Sequence, residues 1–305
     1  MELYYQGSDL SNIVNVTGCI HRDVAGGRAD SLEIEFDHAA VWYSWGPQID
    51  DTIRVIQNGY DTGIMYLNTI LPEGDKFRVI ATSLPSSAAA RAWYSFRDTT
   101  LEKIMDRCAA ECGMSYKLFG VDGGTHYTYL LRRYEGCAAL LNRLACMEGM
   151  FVKAYNGAFR AVSLDYVQER EAVKRLHIVA DQEGVQYIRQ ENKRLSALTV
   201  RTPHAEATAR DSLAVGRLAK TITDIPARTS IEAGRWARGL ITHNNRQAEQ
   251  LTISSAFVPA MSALNRIDID GSTDAIGAWI VEETEQDIKN GRTRAKLLRV
   301  IDTIS

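Results

Sequence analysis

Two cysteines spaced one helical turn apart are the first candidates for chemistry in this chain. Cys108 and Cys112 could bring two thiolates to one metal ion if their segment is helical. Both also fall on the apolar stripe of Leu101, Ile104 and Met105, where a free cysteine packs as a small hydrophobic residue. No Cys-x-x-Cys pair or nearby histidine completes a ligand set. We therefore predict no metal site and no cofactor.

A glycine-rich segment, residues 120–126, is the second candidate. It combines glycines with Asp122 and His126, but it lacks the G-x-G-x-x-G and P-loop patterns and precedes no obvious phosphate-binding helix. The chain also has no G-x-S-x-G nucleophile elbow and no H-E-x-x-H helix. The segment is predicted to be a loop between strands, and we predict that the chain has no catalytic residue and is not an enzyme.

Acidic residues at positions 282–285 leave a hydrolase as an alternative. Glu282, Glu283 and Glu285 could serve glycoside hydrolysis only if two carboxylates faced one cleft with separated pKa values, and the pattern favours a solvated acidic turn. The other five histidines are scattered, which favours surface positions or satisfied core positions over a shared site. These are His21, His38, His177, His204 and His243.

An aromatic trio leaves carbohydrate binding as a further alternative. Trp42, Tyr43 and Trp45 stand before Gly46-Pro47, and an exposed trio could stack on sugar rings. In a chain of short strands such residues more often fill a core or anchor an interface. The core role is therefore the preferred interpretation.

Composition narrows the class of protein. The chain has 305 residues, 45% of them hydrophobic and 24% charged, which is typical of a globular protein. A net charge of −3 offers no bulk attraction to nucleic acid or to an anionic membrane. No apolar run approaches the length of a membrane span, and residues 1–6 do not resemble a secretion signal. The five cysteines are an odd number, so we expect no disulfide framework and folding in a cytoplasm.

The first 90 residues show the alternation of β-strands. Leu32, Ile34 and Phe36 alternate with Glu33 and Glu35, as in a half-buried strand. The pair at 58–59, Asn-Gly, predicts a hairpin turn, and further short strands follow at 63–70 and 77–81. This spacing predicts a small antiparallel barrel or sandwich over residues 1–90.

The pattern becomes helical at about residue 97. Thr99 and Glu102 match a capping box before a helix that should end at Gly113, and a second helix is expected over 134–148, ending at Gly149. A hairpin with an Asn-Gly turn at 156–157 follows. Residues 97–190 are therefore predicted to form a small α/β domain.

The last third returns to strands. A strand is predicted at 197–202, then a polar stretch, then a helix near 230–244 that begins at the capping-box pair Thr229 and Glu232. Strands at 251–254, 278–282 and 293–302 close the pattern, with a loop at 289–292. We predict a second β-barrel domain over residues 195–305. The fold class expected is thus mixed β, with two antiparallel barrels flanking an α+β insert.

The order of these features resembles the late control protein D family, which includes the baseplate hubs of contractile-tailed phages and the hub-like first half of type VI secretion spike proteins. The family pattern Gly-Asp, apolar strand, turn and Gly is similar to residues 51–55 and Gly63, with Asp50 in place of the first glycine. The other matching segments are 91–104, 140–153 (which includes Gly149 and Lys153), 235–254 and 277–281. Together they cover nearly the whole chain.

The resemblance implies a structural role. It implies a homotrimeric ring that adapts a six-fold tail tube to a three-fold central spike. The expected partners are the spike protein, the tail tube or tube initiator protein, and other baseplate proteins. The expected place is the baseplate of a virion or phage-tail-like particle, assembled in the host bacterial cytoplasm. A tail-associated cell-wall hydrolase or carbohydrate-binding tail module is the alternative.

Overall fold

Alternating apolar residues form a sheet in the first part of the chain, as predicted. The computed structural model describes residues 1–37, 39–301 and 304. In the fourth strand Leu32, Ile34 and Phe36 are buried, while the glutamates between them lie partly exposed. The elements are β1 (Glu2–Tyr5), β2 (Ser8–Asp9), β3 (Val16–Val24), β4 (Ser31–Asp37), α1 (Ala39–Trp45), β5 (Thr52–Gln57), β6 (Tyr60–Asp61), β7 (Met65–Glu73) and β8 (Lys76–Thr82).

The middle of the chain is mixed α and β, and both of its long helices begin later than predicted. Thr100, not Thr99, caps the first helix by accepting a hydrogen bond from the Lys103 backbone N–H, because Thr99 is buried in the preceding strand. The second begins at Cys137 because a strand continues to Glu135. The elements are β9 (Ala92–Thr100), α2 (Leu101–Glu111), β10 (Ser115–Phe119), β11 (His126–Glu135), α3 (Cys137–Glu148), β12 (Met150–Tyr155), β13 (Ala158–Ser163) and α4 (Leu164–Glu169).

The last part contains more strands than the sequence pattern predicted. The capping box of Thr229 and Glu232 is confirmed, but two strands lie in the segment expected to be a polar stretch. The elements are β14 (Lys174–Val179), β15 (Val185–Arg189), β16 (Ala197–Arg201), β17 (Glu206–Arg210), β18 (Ala219–Ile222), α5 (Ser230–Asn245), β19 (Glu249–Ala256), β20 (Arg266–Ser272), β21 (Gly277–Asp287) and β22 (Arg292–Arg299). Asp302, the end of the last predicted strand, lies outside the described residues.

Hydrogen bonding in the described part of the chain joins two groups of strands into one sheet of 14 strands. The first group is β1–β8, and the second is β14, β15 and β19–β22. The long strand β21 pairs with β22 along one edge. Along its other edge, residues 277–280 pair with β20 and residues 283–287 pair with β3. Two separate hydrophobic clusters lie within this sheet, one around Trp42 and Phe77 and the other around Trp279 and Leu297. The fold is thus rich in β-structure as predicted, but the pairing does not confirm two separate barrels.

Strand pairing and packing group some segments of the chain differently from the domains predicted from the sequence. Strands β14 and β15, expected in the insert, pair with β20 and β19 of the large sheet. Helix α5 and strands β16–β18, expected in the second barrel, instead share one core with α2 and α3. The reason is burial, since the apolar face of α5, including Trp236 and Ile241, packs against Leu198 and Val200 and not against the large sheet.

Candidate assembly interface and its buried ion cluster

Arginine–carboxylate pairs hold the seam at which β21 meets β3. Arg22 Nε lies 2.8 Å from Glu285 Oε2, and Arg28 pairs with Glu283. Glu282 pairs with Arg246. The acidic segment is therefore part of a strand and not the turn that was predicted, because it pairs with β3 and β22, and its partly exposed carboxylates pair with arginines from three other segments.

A buried lysine connects strand β12 to the large sheet. Lys153 Nζ, from β12, donates hydrogen bonds to Asp23, to Asp30 Oδ2 at 2.8 Å and to the Val24 carbonyl at 2.9 Å. Asp23 Oδ2 also accepts a hydrogen bond from the Ala263 backbone N–H at 2.9 Å. The cluster of Lys153, Asp23 and Asp30, here called the ion cluster, therefore joins three distant parts of the chain.

Burial and mutual attraction oppose each other in the ion cluster. Burial alone would raise the pKa of Asp23, but the Lys153 ammonium lowers that pKa overall. For Asp30 burial prevails and raises the pKa to about 7. Burial alone would lower the pKa of Lys153, but the two carboxylates raise it overall. The lysine therefore stays charged at neutral pH, and one carboxylate is firmly ionised beside it.

His21 lies beside this cluster in the core. Its Nδ1 is 2.6 Å from the Tyr60 hydroxyl, and burial lowers the pKa of the imidazole to about 4. The ring is therefore neutral at physiological pH and lies in the core, one of the two kinds of position predicted for the histidines. Of the other predicted histidines, His177 pairs with Asp270 at the surface, His204 contacts Arg228, and His243 lies beside Cys146, whereas His38 is outside the described residues.

The cysteines pack as hydrophobic residues. Cys108 and Cys112 are buried on α2, and the fold brings Cys137 to them from α3. Hydrogen bonding to Cys137, together with burial, raises the pKa of the Cys108 and Cys112 thiols, whereas the hydrogen bonds from these two thiols lower the pKa of Cys137. Within the described residues, no group of three or more His, Cys, Asp or Glu side chains is arranged to hold a metal ion.

The glycine-rich segment is a loop, as predicted, and it fastens the start of α2. The Gly123 and Thr125 carbonyls accept hydrogen bonds from the backbone N–H groups of Glu102 and Leu101, at 3.0 and 2.9 Å. These are donors that a helix N-terminus leaves without an intrahelical partner. The loop therefore has a structural role.

Two of the three aromatic residues belong to the core. Trp42 is fully buried and stacks on Phe77 with ring centroids 5.4 Å apart, while Trp45 packs on Tyr5. The side chain of Tyr43 is not among the described ones. The two tryptophans therefore do not form the exposed platform that the carbohydrate alternative required.

Solved structures of phage tail proteins share this fold. The 43 kDa tail protein of prophage MuSo2 from Shewanella oneidensis matches with a TM-score of 0.70 and 13% identity over 98% of this chain and 97% of that one. A tail protein from Neisseria meningitidis matches with a TM-score of 0.76 and 11% identity over 98% and 95%. A type VI secretion component from Escherichia coli, described as similar to bacteriophage T4 tail proteins, matches with a TM-score of 0.60 and 10% identity over 99% and 78%.

The chain has the fold of these tail proteins. The resemblance found in the sequence motifs is therefore confirmed at the level of the fold. No protein-family model matches the sequence, and no curated protein matches it. Of the helices in the described ranges, none has both the length and the apolar character needed to cross a membrane.

The tail-protein fold also exposes aromatic residues that the sequence analysis did not select as a site. Trp93 and Tyr134 stack on the outside of the ribbon formed by β9 and β11. The sequence placed Trp93 only within a segment similar to the family. Tyr134 was assigned to a helix, and no local pattern indicates that its backbone adopts a positive φ of 49°.

Proposed function

We propose that this chain is a baseplate hub, a structural protein that forms a trimeric ring on the axis of a phage tail or phage-tail-like particle. The observation that carries the proposal is the likeness to a tail protein across 98% of the chain at a TM-score of 0.76. In the proposed ring, three copies would adapt a six-fold tail tube to a three-fold central spike.

The large sheet supports this arrangement. Each of its two groups of strands has its own hydrophobic cluster, and β21 runs from one group into the other. Three chains with two such groups each would present six, which is the number that a six-fold tube requires. A closed ring also covers strand edges that would otherwise pair with other proteins.

The proposed partners are those of a baseplate. They are the central spike protein on one side, the tail tube or tube initiator protein on the other, and baseplate proteins around the rim. The proposed location is the particle itself, with assembly in the host bacterial cytoplasm. A structural role and not an enzymatic one is supported by the tail proteins that share this fold, and Glu282, Glu283 and Glu285 each pair with an arginine.

Mass measurement and imaging test the proposal. The purified chain should have the mass of a trimer, and averaged images of the particle should show three copies on the tail axis. Each pair of copies should bury more than about 1,200 Å² of surface, which is the lower limit of specific, stable interfaces. A monomer in the assembled particle, or six symmetric copies, would contradict the proposal.

A further inference from the structure

An aromatic and arginine-rich face lies on the ribbon formed by β9 and β11. Trp93 is 68% exposed and Tyr134 is 55% exposed, yet their rings stack with centroids 6.3 Å apart and planes 26° apart. Arg133 stands directly opposite Trp93 in the ladder, and Arg91 precedes the strand. Both arginines are exposed, and neither side chain forms an ion pair within the described part of the chain.

The backbone is distorted at the residue that completes this face. Tyr134 occupies the register shift between Arg133 and Glu135, with a φ of 49°. Because Arg132 is buried and Arg133 is exposed, regular alternation would direct residue 134 inward. The bulge turns the tyrosine outward instead, onto the indole of Trp93. A tyrosine with positive φ costs backbone energy, and folds retain such strain mainly where function requires it.

The face has the chemistry of a protein-binding site. Tryptophan, tyrosine and arginine are the residue types most enriched among residues that dominate binding energy. Among the described strands β9 pairs only with β11, so the backbone groups along its other edge are open to a further strand. The two exposed arginines can donate charge-assisted hydrogen bonds to carboxylates of a partner.

We propose that an extended acidic segment of another protein docks along β9. The segment adds a strand to the ribbon, places carboxylates on Arg91 and Arg133, and packs an apolar side chain on the stack of Trp93 and Tyr134. This inference goes beyond the proposed ring, because the ribbon is not part of the large sheet. Aromatic and arginine faces also bind single-stranded DNA, but the open edge of β9 can form strand hydrogen bonds with a peptide backbone and not with a sugar–phosphate backbone.

Peptide selection on the full-length protein tests the proposal. A display library of random peptides of about 12 residues, long enough for one added strand, is selected on the wild-type chain. Affinities of the enriched peptides and of labelled oligothymidine are then measured by fluorescence anisotropy. The variants are Trp93→Ala, Arg91→Glu and Arg133→Glu, and Arg217→Glu is the control because it changes an exposed arginine outside the ribbon. Circular dichroism and native mass are recorded for each variant.

The expected result is enrichment of peptides rich in aspartate and glutamate. Their affinity should fall about tenfold or more in Trp93→Ala and in either ribbon arginine variant, and should be unchanged in Arg217→Glu. The arginine variants change exposed side chains, so they test the site even if Trp93→Ala misfolds. Failure to enrich acidic peptides, or tighter binding of oligothymidine, would overturn the proposal. A change of native mass in Trp93→Ala with an unchanged spectrum would also overturn it, since the face would then join copies of this chain.

Discussion

Replacing Lys153 with methionine should destabilise the protein more than the removal of any other single charged side chain near the ion cluster. The ammonium donates to Asp23, Asp30 and the Val24 carbonyl, and all three charged side chains are buried. Methionine has a similar length but carries no donor and no charge, so two carboxylates remain close together without a counter-ion. Breaking a buried ion pair by removing one partner costs about 3–5 kcal/mol, and we expect a loss in that range.

The pH dependence of this loss has a definite sign. Without the lysine, burial and mutual repulsion raise the pKa values of Asp23 and Asp30 in the folded state above those in the unfolded state. A carboxyl group whose pKa is raised in the folded state stabilises the fold at low pH, and this contribution disappears as pH rises. The variant should therefore be least stable under alkaline conditions. The difference in unfolding free energy between wild type and Lys153→Met should therefore be smaller at about pH 5 than at about pH 8.

Denaturant unfolding followed by circular dichroism measures both effects. The matched control is Lys76→Met, because Lys76 pairs with Glu35 at the surface, where ion pairs contribute about 1 kcal/mol or less. The triple variant Lys153→Met, Asp23→Asn, Asp30→Asn should recover part of the stability, since no unpaired buried charge remains. A loss for Lys153→Met no larger than that for Lys76→Met, or a larger loss at acidic pH, would refute this account of the cluster.

Three further predictions concern the core and the sheet. The folded-state pKa of His21, about 4, lies below the ordinary histidine value, so the fold loses stability as pH falls between these two values. His21→Gln should remove this loss, so the decrease in unfolding free energy from pH 7 to pH 4 should be about 3 kcal/mol smaller than in the wild type. Gly239→Ala would place a Cβ 2.1 Å from the Met147 carbonyl oxygen and should lower the free energy of unfolding by about 1–3 kcal/mol. Gly234→Ala, the control on the same helix, would place a Cβ no closer than 3.9 Å to any neighbour and should be neutral or stabilising. Truncation before Asn290 removes β22, which pairs with both β19 and β21, so the product should elute from a sizing column as aggregate and not as a discrete species.

Elements governed by neighbouring residues could be predicted from the sequence. The turn at Asn58 and Gly59 has positive φ at both positions, and the capping box of Thr229 and Glu232 forms as expected. Each needs only residues within a few positions to determine its geometry. Thr99 and Thr100 show the limit of such reasoning: adjacent hydroxyls are equally suitable caps, and the burial of Thr99 in the folded chain leaves Thr100 as the cap.

The ion cluster lay beyond prediction because its members are far apart in the chain. Asp23 and Lys153 are 130 positions apart, and each alone resembles an ordinary strand residue on a solvated face. Two strands in the last third of the chain were missed for a local reason. Strands such as β17 and β18 have few buried side chains, so they lack the apolar alternation that reveals a strand.

The buried charges also bear on how the fold could serve a ring. An apolar cluster can slide or repack with little loss, whereas the Lys153 ammonium is satisfied only when oxygens of Asp23, Asp30 and Val24 converge on it. Asp23 is in turn tied to the backbone of Ala263, so a shift of the insert against either group of strands would leave a buried charge unpaired. We infer that the cluster fixes the relative positions of the three parts. In the proposed ring, an error in those positions would be repeated in all three copies, so one cluster per chain would control the geometry of the whole assembly.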